Sequence, residues 1–221
     1  MKHTEKELQE LKEEVSQMWK LVLSQLEKAK QAFLTGDVEL AREIASREKR
    51  VDAFELKIDS DCENYIALYS PVAVDLRLVL SLIKISITLE RIGDFAESIA
   101  RTLIDEDGDK PETQITEELQ IEKMFDMLIG MLSDSFVELE SENTRLSGKI
   151  MAKDHEIDML YCQSFDILTR YLQENPTRIR CGLKTILLLR KLERIGDHCN
   201  NIVEEIVFYV DAKVLKHGGN K

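Results

Sequence analysis

Acidic residues recur four apart in this chain, and the arrangement comes twice. Glu90 and Asp94 form one such pair, and Glu193 and Asp197 form another. Four residues is about one helical turn, so the two carboxylates of a pair share one helix face. Two further pairs have the same spacing: Glu48 with Asp52, and Asp154 with Asp158. Glu55, Asp59 and Glu97 extend these stripes. Like charges so spaced destabilise a helix by roughly a few tenths of a kcal/mol per pair. Bringing two pairs together costs more, unless a proton or a cation neutralises them. Carboxylate oxygens suit hard cations such as Mg²⁺, Ca²⁺, Mn²⁺ or ferric iron. The chemistry expected is a multinuclear metal site with these eight carboxylates as candidate ligands. The competing reading is a set of solvated helix faces, with Arg91 and Arg194 pairing locally.

Helices must carry those pairs. Leu8, Leu11, Val15, Met18, Val22, Leu26, Ala29 and Phe33 repeat at steps of three and four, which predicts one amphipathic helix over roughly 4–35. Gly36 is placed to end it and Asp37 to cap the next. Leu40, Ile44, Val51, Phe54, Ile58, Tyr65 and Leu68 mark a second helix over roughly 38–69. Glu48 and Asp52 sit one step from its apolar seam, at the border of the core. Ser70-Pro71 predicts a cap and a first helical turn. A third helix, apolar on most faces and so the most buried of the three, runs from there to about Ile104.

Asp105 to Thr113 is acidic and holds Gly108 and Pro111, which reads as a solvated linker. Helical periodicity returns with Leu119, Phe125, Leu128, Leu132, Phe136 and Leu139. Ser147 is placed to cap a fifth helix over roughly 148–174. Asn175-Pro176 repeats the earlier cap-plus-Pro signal, and a sixth helix runs to about Lys213. The tail from Lys216 to Lys221 reads as frayed.

Three helices, a linker and three more helices suggest a duplication. Leu89-Glu90-Arg91-Ile92-Gly93-Asp94 recurs unchanged as Leu192-Glu193-Arg194-Ile195-Gly196-Asp197, an offset of 103 (192 − 89). Arg77 and Arg180 share that offset. Gly93 and Gly196 each cost a helix about 1 kcal/mol against Ala, so their recurrence points to close helix approach or ligand room. The expectation is an all-α protein of two tandem homologous three-helix bundles, six long helices in all, divided as 1–108 and 109–221.

The composition excludes several alternatives. The 221 residues include 30 basic and 42 acidic ones, for a net charge of −12. That balance argues against nucleic acid as a partner, since phosphate backbones need clustered Lys and Arg. The 43% of hydrophobic residues is too many for a disordered polyanion. Nine Gly and three Pro are too few for the turns of an all-β chain. The residues from Met1 to Glu7 lack the apolar core of a signal peptide, and no run of about 18 apolar residues could span a membrane. The four cysteines form no C-x-x-C pair and read as reduced thiols of a cytoplasmic protein.

Two three-helix halves, each with Glu-Arg-Ile-Gly-Asp late in its third helix, resemble the PhoU family of accessory regulators of bacterial high-affinity phosphate transport. Pro71 followed by Asp75-Leu76-Arg77 is similar to the family's Pro-x-x-x-Asp-Leu-Arg stretch. The second half departs from it at Thr177-Arg178-Ile179-Arg180, where the Asp is missing. The resemblance covers nearly the whole chain. It implies that the acidic pairs are the family's metal-cluster motif, holding iron or zinc at Glu48, Asp52, Glu90, Asp94, Asp154, Asp158, Glu193 and Asp197; Mg²⁺, Mn²⁺ and Ca²⁺ remain open. It also implies a non-catalytic, cytoplasmic protein at the membrane periphery, reaching the membrane through its partners alone. Those partners are the ATPase subunit of a phosphate ABC transporter and a sensor histidine kinase. The protein would restrain phosphate uptake and the starvation response when phosphate is plentiful.

Rival readings fare less well. A di-iron carboxylate enzyme needs Glu-x-x-His on two helices. None of His3, His155, His198 or His217 has Glu three residues before it. His155 and His198, each following an Asp as in a metal dyad, read as surface or capping residues, with His198 also a candidate for the outer shell of a metal site. No Gly-x-Ser-x-Gly or Gly-rich phosphate loop supports hydrolase chemistry. A helical scaffold unrelated to phosphate signalling is the stronger rival, although it leaves the hexapeptide repeat unexplained. Trp19, Met124, Met127, Met131, Met151 and Met159 are expected to pack, and Cys62, Cys162 and Cys199 to be buried. A homodimer is the expected assembly, with the stripe of the first helix as one surface able to form it.

Overall fold

The computed structural model describes residues 3–106, 108 and 111–214. Six long helices form, as the periodicity requires: α1 (His3–Thr35), α2 (Val38–Tyr69), α3 (Ala73–Asp105), α5 (Ile121–Ser141), α6 (Ser147–Glu174) and α7 (Ile179–Asp211). A six-residue helix, α4 (Thr113–Glu118), precedes α5. Gln120 separates the two because its backbone is left-handed, with φ of 53°. No strand occurs among the described residues.

The local signals act in unequal ways. Gly36, with φ of +73°, ends α1, and Asp37 Oδ1 accepts from the Leu40 amide 2.9 Å away to cap α2. Ser70 is not the cap of the third helix. It lies in the left-handed region and ends α2, donating its amide to the Ile66 carbonyl, and α3 starts later, at Ala73. Asn175 likewise closes α6, its side chain donating to the Tyr171 carbonyl, and Pro176 opens a short 3₁₀ turn before α7. Ser147 does not cap α6 through its own side chain. Glu138, buried on α5, accepts from the amides of Leu146 and Ser147 at 2.6 and 2.8 Å and so satisfies the start of α6 from outside it. The linker's Pro111 is buried, and the expected frayed tail lies outside the described residues.

Burial explains the assembly. The apolar stripe of α1 is wholly inside: Val15, Met18, Trp19, Val22, Leu26 and Ala29 have no exposed surface. It packs on α2, α3 and α5, so it is not available for a dimer. The indole of Trp19 donates to the Leu132 carbonyl on α5, 3.1 Å away, and Phe33 meets Phe125 with ring centroids 6.3 Å apart. The α3 and α7 helices run antiparallel across the molecule. Arg77 Nε reaches the Tyr209 carbonyl at 3.3 Å at one end, and Lys191 Nζ reaches the Ser98 carbonyl at 3.1 Å at the other. Thus α1, α3, α7 and α5 close a central four-helix layer, with α2 on one flank and α6 on the other. The two halves share one core through α3 and α7.

Several packing expectations need correction. Met124 and Met131 are buried, but Met151 and Met159 are 42% and 46% exposed on α6. Cys62 and Cys199 are buried, whereas Cys162 is exposed. His198 is no surface or capping residue. It is buried and stacks on Phe95 of the other half, with ring centroids 5.7 Å apart. His155 is exposed.

Candidate metal centre

The pairs of the first half meet where α2 packs beside α3. Val51 of α2 rests against Gly93, where an added Cβ would stand 3.3 Å from Val51 Cγ1. That close approach sets Asp52 next to Glu90 and Asp94. One ligand oxygen from each of Asp52, Glu90 and Asp94 lies within 4.8 Å of the others. It is the one group of this kind among the described residues. Burial pushes the Glu90 carboxyl above its ordinary range, and Asp94, Asp52 and Glu55 push it further. Burial also raises Asp94, helped by Glu48 and Asp52. Glu90 and Asp94 hold their protons more tightly than free carboxyls, and a cation would relieve both.

Glu48 stands slightly apart. Arg101 reaches its Oε2 at 3.7 Å and also binds Glu97, which is buried and raised by that burial. Sequence spacing placed Glu97 on the stripe, but nothing in it signalled that Arg101 would divide the set. Glu48, Asp94 and Glu97 line a groove of about 430 Å³ together with Arg91, Arg194 and His198.

The second half is more dispersed. Asp154, at 8% exposure, is the most deeply placed acid of the eight. Burial raises its carboxyl to about 7, with Asp158, Asp197 and Glu193 adding to the effect. Asn200, one turn past Gly196, donates to Asp154 Oδ2, a partner that no acidic spacing could reveal. Arg190 draws Glu193 away at 2.6 Å, and Arg194 holds Asp197 at 3.3 Å. Asp154 Oδ1 and Glu193 Oε2 are nonetheless buried without a hydrogen-bond donor. Orphaned acceptors of that kind are costly, and a bound cation satisfies them. The convergent first cluster therefore fits a metal, while the second half offers orphaned acceptors without that convergence. Asp52, Glu90 and Asp94, with Glu48 beside them, would hold it in the first half, and Asp154, Asp158, Glu193 and Asp197 in the second. The all-oxygen donor set suits hard cations.

Gln25 is a residue the sequence did not single out. It is fully buried on α1 against Gly93, where an added Cβ would lie 3.4 Å from its Oε1, and neither of its amide atoms has a partner.

Two three-helix units fused through their third helices, each with acidic pairs where its second and third helices meet, define a duplicated helical-bundle protein with paired carboxylate clusters. Known proteins share this fold. The model of the PhoU domain matches residues 15–103 and 121–206. The chain is 35% identical to the phosphate-specific transport system accessory protein PhoU homolog of Aquifex aeolicus (strain VF5), over 96% of this chain and 95% of that one. It is 32% identical to the phosphate-specific transport system accessory protein PhoU of Escherichia coli (strain K12), over 96% of this chain and 87% of that one. The crystal structure of PhoU from Pseudomonas aeruginosa superposes with a TM-score of 0.88 at 30% identity, covering 95% of this chain and 99% of that one. The phosphate transport system regulatory protein PhoU from Streptococcus pneumoniae gives 0.84 at 25% identity, covering 97% of this chain and all of that one. The chain belongs to the PhoU family.

Proposed function

We propose that this protein is a PhoU-type negative regulator of phosphate uptake and of the phosphate-starvation response. It works in the cytoplasm, connects the ATPase subunit of a phosphate ABC transporter to a sensor histidine kinase, and performs no catalysis. Its contact with the membrane is through those partners. The observation that carries this reading is the match over both halves to relatives named phosphate-specific transport system accessory proteins. No described helix is long and apolar enough to cross a membrane.

Metal binding belongs to the same reading. A cation at Asp52, Glu90 and Asp94 neutralises their mutual repulsion and ties α2 to α3, and the second set acts likewise between α6 and α7. Iron, zinc, or a hard cation such as Mg²⁺, Mn²⁺ or Ca²⁺ would serve this purpose. A homodimer, if it forms, uses a surface other than the buried stripe of α1.

The test is removal of the gene and its replacement on a plasmid, in cells grown at high phosphate. Loss should raise both phosphate uptake and a starvation-promoter reporter, and the plasmid should restore both. Crosslinked cells should yield the transporter ATPase or the kinase with the tagged protein. Unchanged uptake and reporter on deletion, with neither partner recovered, would sink the regulator reading.

A further inference from the structure

A separate cavity of about 270 Å³ lies between the two halves, where the end of α3 passes the start of α7. Its lining differs from the rest of this acidic protein. Four cations border it: Arg178, Arg180, Lys184 and Lys191. Glu106 takes two of them, meeting Arg180 at 3.1 Å and also Lys184. Glu112 approaches Arg178 Nε at 3.5 Å. Among the described residues that line the cavity or pair with its lining, four cations meet two carboxylates, a surplus of two positive charges in a chain whose net charge is −12.

Two of those cations have open donors. Arg178 Nε is buried and makes no hydrogen bond, Glu112 standing off at 3.5 Å. Lys191 Nζ donates to the Ser98 carbonyl and to Thr102 Oγ1, both at 3.1 Å, and both are neutral. No described carboxylate lies within ion-pairing distance of it, and one of its three N–H groups is left over. Beside Thr102, Thr177 and Thr185, apolar walls come from Ile99 and Leu103 of α3, Leu187 and Leu188 of α7, and Phe33 of α1.

The geometry points to a site for a small organic phosphate, its phosphoryl group among Arg178, Arg180, Lys184 and Lys191 and its apolar body against Ile99, Leu103 and Leu188. A phosphate monoester carries a charge of about −1.5 to −2 near neutral pH, which matches the surplus. Arginine forks favour such oxyanions over a single point charge. The cavity is larger than an oxyanion alone requires, and small-molecule sites combine apolar walls with a few polar groups in this way. The site involves none of the eight clustered carboxylates, and the inference stands independently of the regulator reading.

The experiment is calorimetric titration of the purified full chain, freed of metal with a chelator, using phenyl phosphate as the probe. One saturable site is expected, with inorganic phosphate binding at least about tenfold more weakly for want of the apolar contacts. Arg180→Glu should lower the affinity by roughly tenfold or more. Arg180 is 80% exposed, so that variant should keep its fold. Lys191→Met keeps the stem, and it should weaken binding similarly with helical content unchanged by circular dichroism. No saturable heat at millimolar probe, equal affinity in Arg180→Glu, or inorganic phosphate binding as tightly as phenyl phosphate would each overturn the assignment. None of those results would bear on phosphate uptake in cells.

Discussion

Gly196 and Asp154 touch across the α6–α7 contact: a Cβ on Gly196 would stand 2.5 Å from Asp154 Oδ1. At the equivalent Gly93 the nearest atoms belong to Val51 and Gln25, at 3.3 and 3.4 Å. The repeated glycine thus has two uses. In the first half it lets two helices approach, and in the second it makes room for a buried carboxylate.

That difference predicts unequal mutants. Gly93→Ala gains up to about 1 kcal/mol of helix propensity and needs a shift of a few tenths of an ångström in Val51, so its stability should stay within about 1 kcal/mol of the parent. Gly196→Ala must displace Asp154 and break its bond from Asn200, and it should lose about 1–3 kcal/mol. Urea denaturation of the two variants compares them directly. Equal stabilities would mean that Asp154 does not occupy the space beside Gly196.

The clusters predict graded metal binding. Elemental analysis and titration should find Glu90→Ala plus Asp94→Ala strongly impaired, because Asp52, Glu90 and Asp94 already converge. Asp154→Ala plus Asp158→Ala should lose less, since the second set is divided among Arg190, Arg194 and Asn200. Binding at the second set should release protons near neutral pH, because the Asp154 carboxyl is raised to about 7. Metal-free purified protein, with Fe and Zn uptake unchanged in the first variant, would refute the metal centre.

Asp154 predicts a pH dependence in the metal-free protein. Its carboxyl rises from 3.8 to about 7 in the fold, chiefly through burial. The folded state then holds a proton that the unfolded state releases, so this contribution is full below about pH 4 and is lost as pH rises through 7. Asp154→Asn keeps the neutral form at every pH. Its melting temperature should exceed the parent's by at least about 2 °C at pH 8 and converge with it near pH 4. A constant offset between the two curves would show that Asp154 titrates normally.

Gln25 predicts a stabilising substitution. A buried amide without partners carries its desolvation cost unrelieved, and an apolar side chain of similar shape removes that cost. Gln25→Met should raise stability by about 1–3 kcal/mol in chemical denaturation. A loss of stability would mean that the amide is satisfied in solution.

The local devices that act within one helix could be read from the residues: the stripe of α1, the Gly36–Asp37 junction, the duplicated hexapeptide and the four-residue acidic spacing. Signals spanning two elements were less secure. Ser70 had the chemistry of an N-cap, yet its left-handed backbone ends α2 instead. Ser147 sits at the start of α6, yet the cap comes from Glu138 nine residues earlier. His198 follows an aspartate as a surface dyad would, yet it lies between the halves against Phe95.

The sequence by itself determined the helices, the duplication and the four acidic pairs, because helical periodicity is local and fixes which side chains share a face. Tertiary structure decided which carboxylates meet. Asp52 joins Glu90 and Asp94, while Arg101 holds Glu48 aside and Asn200 holds Asp154. It also gathered four cations into one cavity of an acidic chain. Those outcomes depend on how far one helix slides and turns against another. Side-chain volumes at the contact set that register, and residues far apart in the chain supply them.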